Sequence, residues 1–259
     1  MSRFINLEFT DGSDNELQPN QKALVKDEAY YLAEARTAFE SGNFEQGLRF
    51  YSKVLEYNPK NGTAWTGQVR MLIELGEFRE AKLWADKALE RFPNEPELLA
   101  AKAVALGRSG DLQGALAFSD ASIEERGDTS YVWLVRGDVL LARKETRADY
   151  CFEKALLLSP HDWFIMWLAA RIRFYHEQYV LALKLIQQAV ELNPANFLLW
   201  LEQGNCQQAI GLTGAAKTSF TQAEQLNPHN ELVNHALIRI SQVGPLARLG
   251  GKLRELFKK

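Results

Sequence analysis

Arginine is the residue type with the clearest capacity for chemistry in this chain of 259 residues. Arg36 and Arg70 are separated by 34 residues, and Arg171 occupies the same place of that period three units later. A guanidinium group presents its N–H donors as a planar fork that matches a carboxylate. Arginines repeated at one position therefore predict non-covalent binding of acidic groups along an extended partner.

Motifs that assemble nucleophiles, phosphate loops or metal ligands are missing, since the sequence contains no HExxH, GxxxxGK[ST], GxGxxG or GxSxG. The four histidines fall in or beside predicted turns and a terminal helix, without the spacing of a zinc site. They are His161, His176, His229 and His235, and we expect them to be solvated. The sequence predicts a protein that is not an enzyme and that binds no cofactor or metal ion.

Composition and net charge narrow the class of protein to which this chain could belong. Hydrophobic residues make up 46% and charged residues 24% of the chain, as in ordinary globular proteins. The net charge of -3 argues against nucleic acid as a partner. Cys151 and Cys206 lie in predicted helical apolar patterns and are expected to be small core residues in a reducing compartment. With no signal peptide and no apolar run of about 18 residues, we expect a cytoplasmic protein.

Three ladders of small residues with steps of 33 or 34 organise the chain. The first ladder is Ala35, Val69, Ala103, Gly137, Ala170 and Gly204. The second ladder is Gly47, Ala81, Ala115, Ala148, Ala182 and Ala216. The third ladder is Val54, Ala88, Ser122, Ala155, Ala189 and Ala223. Because two helices approach closely only where side chains are small, the ladders predict tandem helical hairpins.

Turn and cap residues recur with the same period. Glycines suited to a positive φ stand at four of the predicted hairpin turns, namely Gly42, Gly76, Gly110 and Gly211. Candidate N-caps stand two residues after four prolines, namely Asn61, Asp162, Asn196 and Asn230. The fourth unit is one residue short, and residues 143–147 replace its glycine turn. Before the first turn, we expect one long helix from about Asn20 to near Ser41.

The second unit, with Trp65, the turn Gly76-Glu77-Phe78, Ala81, Ala88 and Pro93, resembles the tetratricopeptide repeat family. The resemblance implies an all-α solenoid, a right-handed superhelix of six helix–turn–helix units with a C-terminal capping helix. The predicted domains are an N-terminal extension (1–26, partly irregular), the repeat array (27–230) and a degenerate last helix followed by a basic amphipathic capping helix (231–259). The predicted units are 28–61, 62–95, 96–129, 130–162, 163–196 and 197–230.

The family's concave groove implies where a partner would bind. Its lining comes from about the second, fifth, ninth, twelfth and thirteenth positions of each repeat. Transferred to this sequence, the peptide-binding residues are Arg36, Arg70, Arg108, Tyr131, Phe164, Trp167, Arg171, Phe174 and Tyr175. Two structural alternatives remain open, since the rings are also typical of a core and the arginines of solvated or intramolecular ion pairs. The family's chaperone-tail clamp is absent from the matching positions, which are Leu32, Arg36, Gly67, Glu97 and Ala101.

These features predict a scaffold that binds a protein or peptide partner in its groove. One alternative is an adaptor at a membrane surface, using basic residues beside an apolar stripe of the C-terminal segment. Its contact residues would be Arg248, Lys252, Lys258 and Lys259. Another alternative is self-assembly into a homo-oligomer, with residues 4–9 (Phe-Ile-Asn-Leu-Glu-Phe) placed in the chain's own groove or that of a neighbour.

Overall fold

The computed structural model describes residues 26–242, and this part of the chain forms thirteen α-helices and no strand. The first six helices are α1 (Glu28–Glu40), α2 (Phe44–Tyr57), α3 (Gly62–Glu74), α4 (Phe78–Leu89), α5 (Pro96–Arg108) and α6 (Leu112–Glu124). The next six are α7 (Ser130–Ala142), α8 (Ala148–Leu158), α9 (Trp163–Tyr175), α10 (Tyr179–Leu192), α11 (Phe197–Ile210) and α12 (Thr213–Leu226). The last is α13 (Glu231–Ser241). The predicted all-α fold is confirmed.

Successive helices pack as six antiparallel hairpins that stack on one another, α1 with α2 through α11 with α12, followed by α13. The ladders of small residues lie where these helices meet, and every member is buried. The fit is tight, because a Cβ atom added at Gly137 would lie 2.7 Å from the Phe152 ring. The Phe220 ring occupies the corresponding space at Gly204, and the Tyr51 ring of α2 fills the space beside Gly67 on α3 of the next hairpin.

Local sequence signals set the ends of the helices. The four predicted N-caps are confirmed, each accepting a backbone N–H of the helix that it begins. The four turn glycines have φ between 74° and 92°, as predicted. Where glycine is missing, Lys144 and Glu177 adopt the same left-handed conformation, with φ of 58° and 59°. Non-glycine residues therefore accept backbone strain so that the fourth and fifth hairpins can turn.

The prediction of one long helix from about residue 20 is wrong. Among the described residues the first helix begins at Glu28, because the Asp27 carboxylate accepts the N–H of Tyr30 at 2.9 Å and caps that helix. Residues 26 and 27 are not helical. The predicted N-terminal extension up to residue 25, including the segment 4–9, lies outside the described residues. So does the capping helix with Arg248, Lys252, Lys258 and Lys259.

The solenoid closes on itself through the turn between α1 and α2. The Asn196 side-chain amide, at the start of α11, donates a hydrogen bond of 3.0 Å to the carbonyl oxygen of Glu40. The Phe39 ring meets Phe164 of α9 edge to face, with centroids 5.0 Å apart. Leu198 packs so closely on Gly42 that a Cβ there would lie 3.1 Å from its Cδ2 atom. We call these contacts between the first hairpin and the helices α9 and α11 the ring-closing contact.

Two further features frame the site. At the junction of the short fourth unit with the fifth, α8 packs on α9 less extensively than the equivalent helices do at the other junctions. There, Arg173 is buried over the Phe152 ring and pairs with Asp149 at 2.7 Å. Within residues 26–242, no helix is long and apolar enough to cross a lipid bilayer.

Candidate binding site on the inner surface

A pocket of about 180 Å³ opens where α3, α5, α7 and α9 face one another. We call this space the central pocket and the surface formed by these helices the inner surface. The apolar wall of the pocket includes Ile73, Phe78, Val104, Leu134, Leu168 and Ile172. Its polar lining comprises Arg70, Glu74, Arg108, Tyr131, Asp138, Arg171 and Tyr175. Apolar walls with a few convergent polar groups are the usual composition of a ligand site.

Two of the three pocket arginines are neutralised by carboxylates of the chain. Arg171 on α9 forms an ion pair of 2.6 Å with Glu74 on α3, directly across the inner surface. Arg108 pairs with the buried Asp138 at 2.9 Å and lies over the ring of Tyr175, 3.3 Å from its centroid. The first pair joins the non-adjacent second and fifth hairpins, the second pair joins the third and fourth, and each arginine thereby has a carboxylate counter-ion.

The third arginine, Arg70, has no such partner. Its guanidinium carbon lies 3.9 Å from the centroid of the Tyr131 ring and 4.9 Å from that of Phe39, so cation–π contacts hold it. Among the described residues, no hydrogen bond or ion pair reaches its nitrogens. Burial raises the pKa of Tyr131 well above its usual value, while the positive charge of Arg70 opposes that rise. Arg70 is thus a half-buried cation with unused N–H donors.

The structure brings five of the nine sequence-predicted groove residues to the central pocket, namely Arg70, Arg108, Tyr131, Arg171 and Tyr175. It separates the other four from that pocket. Arg36 has a side chain that is 77% exposed and pairs with Glu40 at 2.8 Å. Phe174 packs edge to face on Tyr179 within the fifth hairpin.

Phe164 and Trp167 belong to the ring-closing contact. Both rings pack against Phe39, and Trp167 is 0% exposed, so it offers no surface to a partner in this conformation. The indole N–H of Trp167 has no acceptor among the described residues. Phe164 and Trp167 thus close the solenoid, in line with the alternative that these rings are structural, and they do not form a wall of the central pocket.

Sequence reasoning missed the carboxylates of the site. Glu74 shares its repeat position with Arg108, and Asp138 shares its position with Arg70 and Arg171, so the signal was present in the same columns that revealed the arginines. The expectation of four solvated histidines is wrong for His176, whose Nε2 lies 2.7 Å from an oxygen of Asp138 in a half-buried contact. The other three histidines are exposed.

Both cysteines are buried, as predicted. No group of three or more His, Cys, Asp or Glu side chains in residues 26–242 is arranged to hold a metal ion. The central pocket offers a half-buried cation, aromatic faces and an apolar wall, which are groups suited to non-covalent binding.

Comparison with known proteins agrees with this architecture. Residues 38–105 match the family model described as tetratricopeptide repeat. Over these residues the chain is similar to tetratricopeptide repeat proteins, and the stacked hairpins of residues 26–242 repeat the same helical architecture.

Individual relatives and solved structures are similar to this chain at low sequence identity. The BBSome complex member BBS4 of Bos taurus is 21% identical over 232 residues, which cover 89% of this chain and 44% of that protein. The chain thus spans less than half the length of this curated relative. The solved structure of the Thermus thermophilus tetratricopeptide repeat protein TTC0263 is similar with a TM-score of 0.55 at 19% identity, covering 70% of this chain and 99% of that one. The solved structure of a tetratricopeptide repeat protein from Parabacteroides merdae is similar with a TM-score of 0.54 at 19% identity, covering 83% of this chain and 84% of that one. At these identities the likeness concerns the fold alone.

Proposed function

We propose that this protein is a non-catalytic adaptor that binds a short peptide segment of a partner protein in the central pocket. The observation that carries the proposal is Arg70, a half-buried arginine without a carboxylate partner among the described residues, in a pocket with apolar and aromatic walls. Such a cation is incompletely solvated, so a ligand that satisfies its donors gains more than it would at an exposed arginine.

A short segment fits the inner surface better than a long extended one. Arg36 lies outside the central pocket, and Arg171 is already paired across it. The ring-closing contact fills the space between the first hairpin and α9. The proposal therefore replaces the arginine row of an extended partner with one anchoring pocket, whose preformed walls would limit the entropy lost on binding.

Selection from a displayed library of random peptides, with the full chain as bait, tests this function. Binders are then measured against Val104→Trp, which fills the pocket from α5, and against Leu157→Trp on α8 as a matched control. Leu157 is 76% exposed and lies away from the pocket. We expect the first variant to weaken binding at least about tenfold, equivalent to about 1.4 kcal/mol, and the second to leave it unchanged.

Far-UV circular dichroism verifies that the variants remain helical. Tyr175→Ala serves as a second pocket variant, because Tyr175 is 59% exposed and its removal spares the core. Failure to select any binder, or binders that tolerate both pocket variants, would contradict the proposed function.

A further inference from the structure

We propose that the central pocket accepts a single carboxylate, the side chain of one aspartate or glutamate of the peptide, on the guanidinium group of Arg70. This inference rests on the proposed function and specifies which side chain anchors the partner.

The first step is the balance of charges in the pocket lining. Three arginines face two carboxylates, and both carboxylates are within ion-pair distance of Arg108 or Arg171. One positive charge, that of Arg70, remains without a counter-ion in direct contact among the described residues. A monoanion completes this set, whereas a cation would add repulsion.

The second step is the geometry of Arg70. Phe39 and Tyr131 contact the guanidinium group through their ring faces, at 4.9 and 3.9 Å from their centroids. No hydrogen bond or ion pair among the described residues uses the N–H donors of this group, so they are available to a ligand. A carboxylate matches such donors in a planar, bidentate arrangement.

The third step concerns the neighbouring acids. Glu95 and Glu97 line a second recess that also borders Arg70, but neither carboxylate forms an ion pair with it. Their negative charge in the recess that borders Arg70 disfavours a multiply charged anion or a run of acidic residues. The arrangement therefore selects one acid flanked by uncharged residues.

The fourth step is size. At about 180 Å³ the central pocket is smaller than the several hundred Å³ typical of sites for drug-sized ligands. This volume suits one side chain. The apolar wall contributed by Val104, Leu168 and Ile172 would cover the methylene groups of that side chain or an adjoining apolar residue.

Two probes of equal shape test the inference directly. N-acetylglutamate N-methylamide and N-acetylglutamine N-methylamide are titrated into the full chain, and the arginine Nε–H resonances are followed by NMR. Arg70→Gln assigns the resonance of Arg70. We expect the glutamate probe to shift that resonance and the glutamine probe to leave it in place. The resonance of Arg36 is an internal control, because this exposed side chain is already paired.

The peptides selected for the proposed function give a second measurement. Replacing their acidic anchor by glutamine should weaken binding to the natural chain at least about tenfold, the range expected for a hydrogen bond to a charged group. In Arg70→Gln this preference should vanish, in Arg70→Lys part of it should persist, and in Arg36→Gln it should be unchanged.

The outcomes separate this inference from the proposed function. Suppose that binding of the selected peptides depends on the pocket, but their glutamate and glutamine forms bind the chain equally. This result would overturn the carboxylate anchor and leave the peptide-binding function standing. A shift of Arg70 by the glutamate probe without any selected peptide would support the carboxylate site and contradict the peptide function. Inorganic phosphate shifting the Arg70 resonance at lower concentration than the glutamate probe would also overturn the assignment, in favour of a phosphate source.

Discussion

The ring-closing contact should be measurable as a coupling free energy between Phe39 and Phe164. Phe39 is only 4% exposed, and truncating a buried phenylalanine to alanine costs about 3 to 5 kcal/mol. Phe164 is half-buried, so Phe164→Ala should cost less. Their edge-to-face geometry, with centroids 5.0 Å apart, should add about 0.5 to 1.5 kcal/mol beyond the burial of each ring. The double variant should therefore lose less stability, by that amount, than the sum of the single variants.

Urea unfolding of the four chains, followed by tryptophan fluorescence and far-UV circular dichroism, supplies the free energies. An open repeat array can lose cooperativity, because each repeat contacts only its neighbours. A contact that joins the first hairpin to the fifth and sixth should couple the ends, so the two signals should change together. Phe39→Ala should separate them if the contact is the source of this cooperativity.

A matched cycle of Phe39 with Phe174 provides the control. Phe174 is also half-buried on α9, but its ring packs on Tyr179. This cycle should be additive within about 0.5 kcal/mol, as is usual for residues that do not touch. An equally small coupling between Phe39 and Phe164 would refute the closed solenoid.

Three other perturbations have clear expected outcomes. Gly42→Ala and Gly76→Ala both place a side chain at a positive φ, 74° and 77°, which costs about 1 to 2 kcal/mol. Only the methyl group at residue 42 would press on α11, so this variant should melt at the lower temperature, and equal melting temperatures would contradict the contact. Burial raises the pKa of Cys206 to about 12, so its thiol stays protonated in the folded chain while it ionises in the unfolded chain above about pH 9. The stability that this thiol contributes is complete below pH 9 and should decline by about 1.4 kcal/mol per pH unit between pH 9 and 12. Urea unfolding of Cys206→Ala at a series of pH values should lack this part of the decline. Identical slopes of the unfolding free energy against pH in both chains would exclude a contribution from this thiol. Asp138→Ala leaves the half-buried Arg108 without its carboxylate and should cost about 3 to 5 kcal/mol in urea unfolding, whereas a loss below about 1 kcal/mol would indicate that water replaces the pair.

The repeating local structure was predictable because its causes lie within one unit or between adjacent units. Small residues such as Gly137 permit a ring such as Phe152 to pack across the hairpin. Caps such as Asn61 begin helices whatever the rest of the chain does. The prediction of a long first helix is wrong because Asp27 is an N-cap, and its place in the sequence does not distinguish a cap from a residue inside a helix.

The positions of the site residues were predictable from the sequence, but the ion pairs between them were not. Repeat positions identified Arg70, Arg108 and Arg171 as residues of the inner surface, but a one-dimensional period does not reveal which carboxylate lies opposite which arginine. Glu74 and Arg171 meet only because non-adjacent hairpins face each other across the pocket. For that reason the sequence showed these three arginines, together with Arg36, as candidates, and the folded chain leaves one of the three, Arg70, without a partner among the described residues.

The hairpins, their order and the residues where neighbouring helices touch follow from the residue pattern alone, since these features depend on contacts spanning about one period. Tertiary structure alone decided that the solenoid closes, because closure is the sum of the small rotations at each successive junction, including that of the short fourth unit. This accumulated rotation brings Phe39 onto Phe164 and Asn196 onto Glu40. The groove that the family resemblance implies is thereby bounded by the ring-closing contact, and the central pocket remains open on the inner surface.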